Sequence, residues 1–512
     1  MVRVVLIINE DYISVANEQT KYRINICRLR GTIFDCNMIP ITNNIERLVA
    51  AVSPTPRGVV ALKSCISGDQ DEYALNELKE NKATVCRVDK TVDSDSIAFT
   101  TIYEQDNSLS ACHLIGYTDS SGHGVSGLQK AYDNLLYSDE YVTAVFTRNG
   151  LGDILDGINP YFENDLSIIN NGVVTTLDIN IQNIVETAAS QMKSGCVVVC
   201  EAQTGKIRAM ASVPTFDINN ITDSLQNDNS PMINRALKSY SVGSVFKPLV
   251  AAIAVENGIN TSVLNCEGSK EIAGRKFRCH KITGHGEMNL CNAIAESCNC
   301  YFYSLGQVIG GNKIYQAATS LCFNNSIKLA ENLYATKCTF PIKETLQNEG
   351  ALANISIGQG ELLASPVALL NLYQAIAGDG SYYMPSTVEK TLKDGVQTYY
   401  DFGNKTRIMK ESTAKELREY LKTVVTNGTG KGAAPTLTTA AGKTATAQTG
   451  RYTQDETEIT NSWFCGFFPA DEPQYVAVVM SDSKQEVSTA SIFAQIADKI
   501  TELMCTSVKN ND

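Results

Sequence analysis

Ser244 and Lys247 stand one turn apart in the stretch Tyr240-Ser241-Val242-Gly243-Ser244-Val245-Phe246-Lys247-Pro248. A hydroxyl beside an amine can do nucleophilic chemistry if burial and cationic neighbours lower the amine's pKa enough for it to take the hydroxyl proton. The elements around the pair suit that use. Pro248 has no N–H and fits only the first turn of a helix, and the apolar run Leu249 to Val255 closes at Asn257-Gly258, a helix stop. Ser244 is therefore expected at or just before a helix N-terminus. Backbone N–H groups there stabilise a developing oxyanion. Alone, a Ser-x-x-Lys arises by chance in long chains, and an ordinary capped helix with one lysine accounts for it equally well.

Two further polar groups follow in order. Ser297-Cys298-Asn299 supplies a Ser-x-Asn, and Lys443-Thr444-Ala445-Thr446 a Lys-Thr-small-Thr. Ser-x-x-Lys, Ser-x-Asn and Lys-Thr-Gly together mark serine acyl-transferases that penicillins acylate. With the flanks Asn234-Arg235-Ala236-Leu237 and Ala441-Gly442-Lys443 to Gln448, the chain resembles a class B penicillin-binding protein. More narrowly it looks like the Gram-positive division and sporulation type, with clostridial relatives.

That resemblance implies roles residue by residue. Ser244 is the nucleophile toward a D-alanyl-D-alanine peptide, and Lys247 the base that takes its proton. Ser297 and Lys443 relay the proton to the leaving D-alanine. Asn299 holds the substrate's backbone amide, and Thr444 and Thr446 its carboxylate and peptide edge. The N–H groups of Ser244 and Thr446 form the oxyanion hole. Ala445 stands where the family has glycine, and its methyl is expected to slow acylation by bulky β-lactams. A β-lactam-hydrolysing or sensing relative, and a catalytically weak scaffold protein, are the competing readings.

Cys266, Cys279, His285 and Cys298 form a second constellation, because three thiols and one imidazole satisfy tetrahedral zinc. Their spacing is not that of a zinc finger, though clostridial relatives look similar here. Buried or disulfide-paired cysteines with a turn histidine explain the same residues. Cys291 and His280 are substitute ligands, and Cys300 a weaker one. Bound zinc would be structural, fixing the loop that presents Ser297 and Asn299; the chemistry itself requires no cofactor.

The chain has 512 residues, 43% of them hydrophobic and 19% charged, with a formal net charge of −12. That is a folded protein of two or three domains, and its charge argues against a nucleic-acid partner. No run approaches the roughly 20 apolar residues that span a bilayer; the opening Val2 to Ile8 is too short. In the resembled family a membrane anchor precedes such a segment, so the chain is read as starting where an anchor was removed, outside the cell membrane. Sixteen cysteines are many for that location, and a reducing habitat would reconcile them.

Residues 1–165 are expected to form a pedestal or dimerisation-like domain. Arg30-Gly31-Thr32-Ile33-Phe34-Asp35 half-matches the family's first pedestal box, since Cys36-Asn37-Met38 replaces its usual continuation. His113-Leu114-Ile115-Gly116-Tyr117 with Gly122-His123-Gly124 to Gln129 matches the second, with glutamine for the more usual glutamate. Both histidines are read as structural. Ile45 to Ala51 and Asp71 to Asn81 read as helices, Lys82 to Val88 and Ile97 to Tyr103 as strands. Residues 166–512 are expected to form the transpeptidase domain. There, strand Val173 to Asp178, helix Ile179 to Lys193 and a hairpin through Gly195 to Ser212 come first; later strands lie around Leu437 to Met480, before a closing helix from Ser491. The fold class is α+β, one antiparallel sheet flanked by helices, behind an extended α+β pedestal. Gly428-Thr429-Gly430-Lys431 reads as a flexible lead-in. No glycosyltransferase domain fits in the first region, so a polymerase and division or sporulation proteins would be separate partners; stem peptides and β-lactams would be the ligands.

Overall fold

A computed structural model describes residues 10–66, 72–106, 109–164, 171–218, 220–260, 262–400, 405–452, 456–482 and 487–509. The apolar opening Val2 to Ile8 lies outside them. No described helix is long and apolar enough to cross a membrane.

Five antiparallel strands form the main sheet, in the spatial order Ile207–Val213, Gly195–Glu201, Tyr475–Ser481, Glu458–Phe468, Ala441–Tyr452. Strand periodicity sorts its side chains between two cores. Cys196, Val198 and Cys200 join the large core that also holds the wholly buried helix Pro366–Ala377. Val197 and Val199 face the other way, into a core with residues of helices Ile179–Ala189 and Thr489–Lys509. Cys196, Cys200 and Cys465 are thus buried core thiols, which is how cysteine behaves as a small hydrophobe.

The first region is α+β as well. Lys21–Arg30, Tyr137–Thr147 and Tyr161–Glu163 make one sheet; Thr84–Arg87, Ile45–Val52 and Ile97–Glu104 make another. Ile45 to Ala51, expected as a helix, is the central strand of that second sheet. The misreading has a physical cause. Ala50 and Val52 pack into one core and Ala51 into another, so over Val49 to Val52 both faces are buried and the period-two alternation vanishes.

The two boxes of the first region meet at one side chain. Arg30 donates to the Gln129 side-chain oxygen from Nε (2.9 Å) and Nη2 (2.6 Å), and to Asp133 (3.1 Å) and the Gly122 carbonyl (2.7 Å). Asp133 therefore supplies the carboxylate that Gln129 lacks. His123 bonds Asp133 at 2.8 Å, and His113 Nε2 lies 2.6 Å from the Pro231 carbonyl; burial pushes His113 down to about 4. Asp35 is fully buried and accepts from the backbone N–H groups of Asn37, Ile39 and Ile179. Its strand Thr32–Phe34 runs parallel to Gly172–Thr175 in a mixed sheet that bridges the two regions.

Candidate active site

Ser244 sits in a single 3-10 turn, Gly243–Phe246, that runs directly into the helix Lys247–Glu256. In 3-10 geometry residues three apart eclipse, which brings Ser244 and Lys247 to one side. Two glycines permit the approach. Gly243 has φ +66, and a Cβ there would lie 3.1 Å from that of Ala447 and 3.4 Å from that of Ala445. Gly243 N–H donates to the carbonyl of Gly358 at 2.8 Å, and a Cβ on Gly358 would come within 1.9 Å of the Gly243 oxygen. Gly358 belongs to Ser356-Ile357-Gly358-Gln359-Gly360, which resembles a box of the same family and by its residues alone reads as a Gly-rich loop entering a helix. Tyr373, from the buried helix, donates to the Val245 carbonyl at 3.0 Å, and Trp463 donates to that of Ser241 at 2.9 Å.

Lys247 is fully buried. Its Nζ donates to the Ser297 carbonyl (2.7 Å), the Ser297 hydroxyl (3.2 Å) and Asn299 Oδ1 (2.7 Å), and lies 5.3 Å from the centre of the Phe302 ring. Burial lowers its pKa to about 7, against the pull of the Cys298, Cys279 and Cys300 thiols. The Ser244 hydroxyl forms no hydrogen bond among the described residues and faces a cleft of about 1200 Å³. Ser297 adopts φ +56, a left-handed conformation that side chains avoid. It is held by Ser297 N–H to Ile294, Cys298 N–H to Ala293 and the Lys247 bond to its carbonyl.

The strand Ala441–Tyr452 is an edge strand, and one side has no strand partner among the described residues. Thr444, Ala445, Thr446 and Gln448 line the cleft along it. Lys443 is fully buried with its Nζ 3.1 Å from the Thr444 carbonyl; burial and then the charge of Lys247 push its pKa well down. Ala445 is buried, paired across the sheet with Trp463 and turned to the side-chain-free Gly243. Thr429 was not singled out by its sequence. Its hydroxyl is 2.9 Å from that of Thr444 and its N–H bonds the Ala295 carbonyl, so the expected flexible lead-in is an ordered part of the cleft wall.

Cys266, Cys279, His285 and Cys298 converge, with one ligand atom from each lying within 4.8 Å of the others. His285 Nδ1 is 3.5 Å from the Cys266 sulfur and 3.6 Å from the Cys279 sulfur. Tetrahedral bonds of about 2.3 Å to sulfur and 2.0 Å to nitrogen imply an edge of about 3.6 Å. Thiol donation from Cys298 and then Cys300 holds Cys279 far below the usual thiol range, and burial pushes His285 down. Both shifts run toward the deprotonated form that a metal ligand needs, and the donor set fits a soft tetrahedral cation. Of the substitutes, Cys291 instead faces Thr423, whereas Cys300 abuts Cys279. The hairpin Ser269–Ile272 and Arg275–Arg278 delivers Cys279; its turn residues Ala273 and Gly274 both have positive φ, as a tight two-residue hairpin requires.

The family description "Penicillin binding protein transpeptidase domain" matches residues 195–502. The chain belongs to that family. Among curated relatives it is 30% identical over 419 residues to penicillin-binding protein PbpB of Mycobacterium tuberculosis, covering 76% of this chain and 60% of the relative. It is 26% identical over 392 residues to stage V sporulation protein D of Bacillus subtilis, covering 72% and 58%. It spans about three-fifths of the length of the curated relatives it matches. In fold it is similar to the D,D-transpeptidase domain of an Eggerthella lenta peptidoglycan glycosyltransferase (TM-score 0.67, 23% identity, 94% of this chain and 100% of that one). A second likeness is to M. tuberculosis penicillin-binding protein 3, solved with ampicillin (TM-score 0.68, 22% identity, 95% and 96%). This penicillin-binding fold is α+β, with an α+β region before its transpeptidase domain.

Proposed function

We propose that this chain is a peptidoglycan D,D-transpeptidase whose acyl-enzyme forms on Ser244. The observation that carries the reading is a buried, threefold-bonded Lys247 one turn from a serine hydroxyl without a partner among the described residues, at an edge strand. Neutral Lys247 takes the proton as Ser244 Oγ attacks the carbonyl of the penultimate D-alanine. The N–H groups of Ser244 and Thr446 hold the oxyanion. As the peptide bond breaks, the proton passes through Ser297 and Lys443 to the nitrogen of the departing D-alanine. Asn299 holds the donor's amide, Thr444 and Thr446 its carboxylate. An amine of a second stem peptide then attacks the ester and frees Ser244.

On this reading residues 1–165 are the pedestal and 166–512 the catalytic domain. The family resemblance supports a location on the outer face of the cell membrane and membership of a division or sporulation complex with a separate glycosyltransferase. We assign structural zinc to Cys266, Cys279, His285 and Cys298. When bound, the metal would add no chemistry of its own and would fix Cys298, hence the flanking Ser297 and Asn299. The protein is expected to carry about one zinc per chain, and a Cys279→Ser variant to lose it, as read by elemental analysis alongside penicillin labelling.

The deciding experiment is intact mass after incubation with benzylpenicillin, with Ser244→Ala in parallel. One drug on the wild type and none on the variant supports the reading. No adduct at high drug concentration, or rapid drug turnover without accumulation, overturns it.

A further inference from the structure

The cleft is electrically unlike the rest of the chain. Net charge is −12, yet no aspartate or glutamate lines the cleft among the described residues, whereas Lys276 and Arg278 do. The two alternate along one strand of the hairpin and so share a face. Both are exposed, and neither side chain has a hydrogen bond or ion pair among the described residues. Glu271, across the hairpin from Lys276, makes no ion pair with it. Their backbone is nonetheless fixed. Tyr303 donates to the Arg278 carbonyl at 3.1 Å, and the Phe277 ring packs edge-on against Tyr303 at 5.5 Å. The hairpin packs on helices Asn299–Ile309 and Glu349–Ser356, which puts it on the Ser-x-Asn side of the cleft. About 1200 Å³ exceeds what a drug-sized ligand fills, so the cleft accommodates more peptide than the terminal D-alanyl pair.

We propose that Lys276 and Arg278 form a subsite for a second carboxylate of the donor peptide, on a side chain upstream of its D-alanyl-D-alanine end. The inference rests on the transpeptidase reading and deepens it to a substrate class: acidic stem peptides in preference to amidated ones. A rigid backbone carrying two unpaired cations gives an incoming carboxylate charge-assisted bonds without an entropic cost for ordering the wall.

The test uses two pentapeptides ending in D-alanyl-D-alanine, one with free side-chain carboxylates and one with those groups as primary amides; both keep the C-terminal carboxylate. Each competes with a fluorescent penicillin for Ser244, and the ratio of their half-inhibiting concentrations is read within each protein. The wild type is expected to favour the acidic peptide by roughly tenfold or more. The ratio should fall toward one in Lys276→Gln/Arg278→Gln and in high salt, and recover in Lys276→Arg/Arg278→Lys. Equal competition by both peptides in the wild type, competition by neither, or an unchanged ratio in the double variant overturns the subsite. Absence of any penicillin adduct on the wild type is a different result, since it removes the transpeptidase reading itself.

Discussion

As the proposed base, Lys247 must lose a proton to act on Ser244, and its burial is what makes that affordable near neutrality. With its pKa lowered to about 7, the amine is charged below that pH and neutral above it. Penicillin acylation of Ser244 is therefore expected to rise about tenfold per pH unit below roughly 6 and to level off above 8. A flat stopped-flow profile from pH 5 to 9 would assign the proton to another group. Lys247→Arg keeps the charge but removes a usable base, so acylation should fall by at least about a hundredfold. Ala445→Gly removes a methyl that faces Gly243 beside the Ser244 turn. Bulky β-lactams should then acylate a few-fold faster, while strand glycine lowers stability by about 0.5–1 kcal/mol. Unchanged acylation rates for several drugs would remove Ala445 as a determinant of drug response.

Among elements, the turn that carries Ser244 depends on a close backbone approach that no side-chain motif reports. Gly358 has φ +76 and meets the Gly243 oxygen. Gly358→Ala combines a left-handed alanine with an impossible contact, so it should cost about 3 kcal/mol or more. The expected readout is a lower Tm together with slower penicillin labelling of the folded fraction. A Tm within a degree of wild type would show that the loop yields. Tyr373→Phe is the milder probe. It strands the buried Val245 carbonyl and should cost about 1–3 kcal/mol, measured by denaturant unfolding. Both glycine and tyrosine were present in the sequence, but only folding brings residues 358 and 373 against residues 243 and 245.

At the scale of the whole molecule, Arg235 joins the segment before Ser244 to the end of a central strand. It lies 2.8 Å from Asp482 and also donates to the carbonyls of Asn229 and Ser230. Arg235 is 5% exposed at its side chain and Asp482 18%, so Arg235→Leu leaves a poorly solvated carboxylate. A loss of roughly 3 kcal/mol is expected, read as a shift in the unfolding midpoint; a midpoint unchanged within error would mean that Asp482 finds water instead. Sequence alone determined the polar motifs in order, the helix start at Pro248, the hairpin at Gly195 to Ser212 and the α+β class, because caps, prolines and one-sided periodicity act over a few residues. It misassigned Ile45 to Ala51 because burial on both faces erases period. It also read Thr429 as a flexible lead-in and singled out neither Lys276 nor Arg278. Those features depend on which surfaces meet across hundreds of residues. The convergence of Cys266, Cys279, His285 and Cys298, and the positive cleft within an acidic chain, exist only once the hairpin and the edge strand have been folded into place.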